Sequence, residues 1–321
     1  MNIEKIPKID LHCHLDGSLT RSMIRNHLGR DVAEEELSVP DNCSSLTEYL
    51  EKFDLPLQCL QDEAGLEEGA YTFLREAAAE HVIYMEARFA PMLSVHENLN
   101  CSQVIEAVRK GLERAKKEYG IRYGILVCAM RHHDKELNLS MLRCAREYLG
   151  QGVLALDLAG DESAYPTAQF REIFREAKRL GMPFTIHSGE TGSISNVQEA
   201  YDLGARRIGH GIALCRDEEL MKQYAAAGMG VEMCPTSNFQ TKAVRTWEEY
   251  PLKRFMDAGI KVSVNTDNRT VSHTTMTKEL QLIYDHYGQD EELIRTLLTN
   301  AAETAFDPEI KDIFEKEWKG N

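Results

Sequence analysis

The feature that most constrains this chain is a rhythm: short apolar runs bounded by turns recur eight times, with helical patterns between them. The runs fall at residues 8–16, 82–91, 122–131, 153–160, 183–189, 207–211, 230–238 and 261–268. Each reads as a strand. Segments Ser102–Tyr119, Thr167–Leu180, Ile194–Leu203 and Glu218–Ala227 carry apolar residues at helical spacing and stop at Gly120, Gly181, Gly204 and Gly228, as helices commonly do. Sustained strand–helix alternation implies a parallel sheet covered by helices, and eight units in succession point to closure. The expected fold class is α/β, a single (β/α)8 barrel in one domain over residues 1–321, with an open doubly wound sheet as the alternative.

The rhythm breaks once, between the run ending at 16 and the run starting at 82. This is a helical insertion between strands 1 and 2. Within it Ser45-Leu46-Thr47-Glu48 reads as a capping box, and Leu46, Tyr49, Leu50 and Phe53 share one helical stripe. Two readings stand: a helix packed on the barrel wall, or a lid, since insertions after barrel strands emerge at the face where barrel enzymes react. Residues 276–306 read as terminal helices.

Charge and thiols narrow the partners. The formal net charge is −15, which repels a phosphate backbone, so nucleic acid is not expected as a partner. No stretch reaches the roughly 20 apolar residues of a membrane helix. The eight cysteines are scattered with no CxxC pair, which suits reduced thiols. With Glu4 interrupting the first residues, no secretory signal is expected, and the expected location is cytoplasmic.

His12 and His14 are two apart on the first strand, so both imidazoles point to one side of it. Such a pair alone is weak evidence for metal. It gains weight because His187, His210 and Asp267 end the fifth, sixth and eighth runs. In barrels, reactive groups come from the C-terminal ends of several strands. Three His with one Asp would fill a zinc shell and leave a position open for water. Glu190 follows His187 by three residues; a partly desolvated carboxyl there would hold a proton to donate, or else serve as a structural neighbour of the site. His27, His81, His96, His273 and His286 read as structural or solvated, and Arg131-His132-His133 as ambiguous. A bridging carboxylated lysine for two metals has no candidate in Leu156-Asp157-Leu158-Ala159-Gly160. Cys234-Pro235 lacks the second cysteine of a cytidine-deaminase-type site.

Taken together, Leu11-His12-Cys13-His14-Leu15-Asp16-Gly17-Ser18, Asp157-Leu158-Ala159-Gly160-Asp161-Glu162, His187-Ser188-Gly189-Glu190, Arg207-Ile208-Gly209-His210-Gly211, Cys234-Pro235-Thr236-Ser237-Asn238 and Asn265-Thr266-Asp267 resemble the motifs of the adenosine deaminase family, in that family's order. The likeness spans nearly the whole chain. It implies one zinc per chain held by His12, His14, His187 and Asp267, with Glu190 and His210 catalytic. It further implies that Asp16 bonds ribose hydroxyls, that the Gly160 N–H reaches a purine ring nitrogen, and that Leu46, Tyr49, Leu50 and Phe53 cover the nucleoside. The implied reaction is hydrolytic deamination of adenosine and 2′-deoxyadenosine to inosine and ammonia, and the implied partner is a small purine nucleoside. Adenine or a 5′-modified adenine nucleoside is the nearest alternative substrate. A metal phosphoesterase, which needs cationic clamps, and an inactive binding protein, which should have lost a ligand or Glu190, are the alternatives from other classes. The chain departs from the family at Asn268, where many members carry a second Asp. An amide there can donate to purine N7 at any pH, so Asn268 is expected to keep that contact with less pH sensitivity.

Overall fold

The structure is a computed structural model that describes residues 1–40, 43 and 45–320; Asn321, the last residue of the expected domain, lies outside the described residues. Eight parallel strands form: β1 Lys8–His14, β2 Val82–Phe89, β3 Arg122–Met130, β4 Val153–Ala159, β5 Thr185–Ser188, β6 Arg207–His210, β7 Gly230–Met233 and β8 Lys261–Val264. They pair in chain order as two four-stranded sheets, β1–β4 and β5–β8. Single parallel bridges, Leu156 with Phe184 and Cys13 with Asp267, span the two seams and carry the ring round. The fold is the α/β barrel.

The later runs end sooner as strands than their apolar character suggests, for reasons at named residues. The seventh was expected to reach 238 but stops at Met233, and Pro235–Gln240 is a helix. Proline has no N–H to give a ladder, yet fits the first turn of a helix. The eighth stops at Val264. Beyond it the Asn265 side chain, not a backbone group, accepts the Leu11 N–H at 2.9 Å.

Helices Ile194–Leu203 and Glu218–Ala227 form as read, and Thr167–Leu180 resolves into a 3₁₀ turn, Thr167–Phe170, leading into helix Arg171–Arg179. Ser193 and Asp217 cap the first two by accepting the third residue's N–H, worth about 1 kcal/mol each. The insertion holds helices Arg21–Leu28, Glu34–Leu37, Leu46–Leu50 and Asp54–Gln58 before Glu63–Ala79, which packs on the barrel. Ser45 Oγ accepts the Glu48 N–H, as its cap position predicts. The terminal region forms helices Met276–His286 and Glu291–Thr304, and a further helix, Ile310–Gly320, that the apolar pattern did not single out.

The barrel interior is not uniformly apolar. Glu86, Arg88, Asp157, Arg207 and Glu232 are all buried there, and they are paired with one another, as buried charges must be. All eight cysteines are free. Among the described residues, no helix is long and apolar enough to cross a membrane.

Candidate active site

β1 delivers His12 and His14 to one end of the barrel. His12 Nδ1 is hydrogen-bonded to Glu232 Oε2 at 2.8 Å, and His187 Nδ1 at the end of β5 lies 2.9 Å from Asp157 Oδ2. His187 Nδ1 lies beside Asp157 Oδ2 without meeting it in hydrogen-bond geometry, whereas the Glu232 carboxylate fixes the His12 hydrogen on Nδ1 and leaves its Nε2 toward the centre. There His14 Nε2 lies 3.1 Å from His187 Nε2. Asp267 Oδ1 lies 3.4 Å from His12 Nε2 and 3.7 Å from His14 Nε2. His12 Nε2 is buried without a hydrogen-bond partner. Burial pushes the His14 and His187 imidazoles below their usual pKa, and neighbouring histidines add to it, so both are neutral. Imidazoles converging beside a carboxylate are a donor set that suits a metal ion such as zinc.

His12, His187, His210 and Asp267 also place one potential ligand atom each within 4.8 Å of one another. His210 differs from the others in its hydrogen. Its Nδ1 faces Asn238 Nδ2 at 2.9 Å, while Asn238 Oδ1 accepts the Cys234 N–H, which fixes the amide's orientation. Nδ1 is therefore an acceptor, and Nε2 carries the hydrogen. That Nε2 is 3.6 Å from Glu190 Oε2. Burial holds the His210 ring well below its usual pKa.

Two of these side chains sit on left-handed backbone, His210 at φ 62° and Asp267 at φ 59°. For residues other than glycine this conformation costs on the order of 1–3 kcal/mol and persists only when neighbours enforce it. At Asp267 the enforcement is visible: its N–H donates to His12 O and its carbonyl accepts the His14 N–H, both at 2.7 Å. The last strand's ligand candidate thereby also closes the β1–β8 seam.

Glu190 follows β5 and is buried. Burial, with the charges of Asp267 and Glu162 behind it, pushes its carboxyl up to about 8. Burial similarly raises Asp16 to about 7, and Asp16 Oδ1, 3.9 Å from His14 Nδ1, has no hydrogen-bond partner. Both carboxyls line a cavity of about 370 Å³ together with His14, His187, His210, Asp267, Asn268 and Gly160. Gly160 has φ 103°, a conformation that side chains disfavour. Gly17 matters differently: a Cβ there would sit 1.9 Å from Asn268 Oδ1.

Leu46, Tyr49, Leu50 and Phe53 roof the cavity, which favours the lid reading of the insertion. Tyr49 is buried, and its hydroxyl meets Ser272 Oγ at 2.6 Å and accepts from Asn268 Nδ2 at 2.9 Å. One amide hydrogen of Asn268 is therefore engaged with the lid, while its Oδ1 is buried and unpartnered.

Other cavity residues escaped the sequence reading: Leu57, Leu93, Cys128, Met130 and Tyr165. Of the ambiguous third-strand cluster, His132 lines the cavity, whereas Arg131 turns away to the carbonyls of Tyr165 and His187. Glu232 was also missed, although a lone acid inside the apolar run Gly230–Met233 is a signal that a buried partner exists.

A profile of the adenosine deaminase family matches residues 7–314. The chain belongs to the adenosine deaminase family. An adenosine deaminase of Enterococcus faecalis is 39% identical over 313 residues, covering 95% of this chain and 93% of the relative. The barrel is shared with more distant solved structures. An amidohydrolase of Burkholderia ambifaria with bound zinc superposes with a TM-score of 0.89 at 21% identity, covering 99% of this chain and 91% of that one. An adenine deaminase of Arthrobacter aurescens gives 0.88 at 21% identity, covering 98% of each chain. This member of the adenosine deaminase family thus combines a His/Asp metal-binding group with a buried acid in one cavity.

Proposed function

We propose that the chain hydrolyses adenosine and 2′-deoxyadenosine to inosine and ammonia, as one barrel domain over residues 1–321 with a single zinc ion held by His12, His14, His187 and Asp267. The observation that carries this reading is Glu190, a buried carboxyl that keeps its proton up to about pH 8 and faces the same cavity as the metal-binding group. When bound, zinc supplies a Lewis acid that lowers the pKa of water. Glu190 donates its proton to N1 of the purine ring, which weakens the ring's aromatic resistance to attack at C6. His210, with hydrogen on Nε2, donates a hydrogen bond to the attacking oxygen and steadies the charge it develops. The proton that water gives up on attack returns to Glu190, and collapse of the tetrahedral carbon passes the proton of its new hydroxyl to the amino group, which leaves as ammonia while the ring becomes 6-oxo.

The remaining cavity groups bind and orient. Asp16, with Oδ1 free, accepts from ribose hydroxyls; the Gly160 N–H reaches a ring nitrogen; Asn268 faces N7; and the stripe Leu46, Tyr49, Leu50 and Phe53 excludes water above the nucleoside. No described Lys or Arg lines this cavity, which disfavours both a phosphoesterase and a nucleotide substrate. The substrate is a small purine nucleoside, and nucleic acid is not a partner. A cytoplasmic location is part of this reading, and eight free thiols support it.

The test is loss of the adenosine absorbance band on mixing, repeated after chelation and readdition of zinc, with adenine and 5′-modified adenosines as rivals. Turnover of adenosine with zinc and none after chelation supports the reading. Faster turnover of adenine, or of none of these, overturns it.

A further inference from the structure

Beneath the ligand candidates lies Arg88 of β2, fully buried. One terminal nitrogen is 3.0 Å from Asp157 Oδ2 and the other 2.9 Å from Glu232 Oε2, and the second also donates to the Leu11 carbonyl. These are the same two oxygens that face His187 Nδ1 and His12 Nδ1. Each carboxylate oxygen is therefore shared between one guanidinium and one imidazole. From Glu232 the chain of charge continues: Oε1 accepts from Arg207 Nε at 2.5 Å and from Thr185 Oγ1 at 3.1 Å. Arg207 also bonds Glu86 and donates to the Thr304 carbonyl at 2.6 Å, and Glu86 Oε1 accepts the Phe306 N–H at 2.7 Å.

We propose that Arg88 is a positioning residue for the metal, a fork that couples His12 and His187 so that both rings are aimed together, with Arg207 and Glu86 anchoring the fork to the segment at Thr304–Phe306. One guanidinium holds both carboxylates in place, one of them hydrogen-bonded to His12 Nδ1 and the other 2.9 Å from His187 Nδ1, so the direction of both rings depends on where that guanidinium sits. Arg88 gives one cation to both carboxylates through two nitrogens of fixed spacing, which a lysine ammonium cannot reproduce. His12 and His187 are 175 positions apart in the chain (187 minus 12), yet their partners meet on one guanidinium. Losing that fork therefore disturbs two ligands at once, whereas Arg207 reaches only Glu232 and hence only His12.

This inference rests on His12 and His187 holding the metal, and the two can fail separately. Zinc affinity is measured by chelator competition on metal-free wild type, Arg88→Lys and Arg207→Lys, alongside the visible absorption of the cobalt-substituted proteins and thermal unfolding of the metal-free forms. Failure of the wild type to bind zinc sinks the ligand reading itself. With the wild type binding, Arg88→Lys should lose about 10- to 100-fold in affinity, the usual cost of removing a ligand's hydrogen-bonding support, and its cobalt spectrum should change. Arg207→Lys should lose less. Wild-type affinity and spectrum in Arg88→Lys, even with lowered thermal stability, would reduce Arg88 to a packing role and overturn the proposal. Should Arg88→Lys not fold, Arg207→Lys decides: weaker zinc binding supports the anchored fork, and unchanged binding overturns it.

Discussion

Below the cavity, His12 is hydrogen-bonded to Glu232 and His187 lies beside Asp157, and the two carboxylates share Arg88. Above it, Leu46, Leu50 and Phe53 are half-buried and meet the cavity by apolar contact, tied down through Tyr49 to Asn268 and Ser272. The floor is held by buried charges, where removing one partner strands another and costs about 3–5 kcal/mol. The roof is held by small increments, each neutral hydrogen bond being worth about 1 kcal/mol net. A rigid floor fixes donor geometry, while a weakly held roof can open for a nucleoside, so changes in the two regions should be told apart by what they move. Floor changes should alter kcat, metal affinity or both, and roof changes KM.

The largest effect expected is at the acid on the floor. Glu190→Gln should lower kcat about 10²–10⁴-fold, with metal affinity kept. Because the Glu190 carboxyl is pushed up to about 8, its proton is present below that pH and lost above it. Wild-type kcat/KM should therefore fall as pH rises through about 8, and the residual activity of Glu190→Gln should lack that limb. A pH-independent wild type would remove Glu190 from the role of acid. Next, Asp157→Asn should weaken zinc binding about 10- to 100-fold, read by chelator competition; unchanged binding would break the contrast from the floor side. On the roof, Tyr49→Phe deletes the two hydrogen bonds to Asn268 and Ser272 and should raise KM for adenosine about 5- to 30-fold, one to two hydrogen bonds' worth. A fall in its kcat with KM unmoved would show the lid to be part of the floor's machinery.

The smallest effect concerns Glu279, a buried carboxyl outside both regions. Burial pushes it up to about 7, despite hydrogen bonds from Thr236 and Thr274. Its folded-state pKa exceeds the unfolded value, so its contribution to stability is full below the unfolded pKa and is lost as pH rises through about 7. Glu279→Gln should thus gain on wild type in Tm between about pH 4.5 and 7, while kcat and KM stay put. A Tm difference independent of pH would show that this carboxyl does not titrate in the fold.

Much of the architecture was legible because strand and helix patterning is local. All eight strands begin within a few residues of their apolar runs, and the ligand candidates stand at the ends expected. What escaped depended on exceptions to pattern. Pro235 turns an apolar run into a helix, and the last run stops early where the Asn265 side chain takes the place of a backbone group. The stripe over the cavity was readable from its helical spacing, but its polar tie was not, since Tyr49 and Ser272 are remote in sequence. For the same reason the carboxylate under His12 was invisible: Glu232 is 220 positions away, and nothing in its short apolar run says which histidine it will meet. Which ring nitrogen of His210 carries the hydrogen also exceeds sequence, because it turns on where Asn238 directs its amide.

The bridge at Asp267 has a kinetic meaning. Its amide and that of His14 make backbone hydrogen bonds across the β1–β8 seam, and the same residues' side chains are proposed to hold zinc. Any opening wide enough to release the ion at this point must expose these two amides to solvent. Their deuterium exchange in the metal-free and zinc-loaded protein would therefore time the breathing of the ring itself, residue by residue, without substrate or turnover.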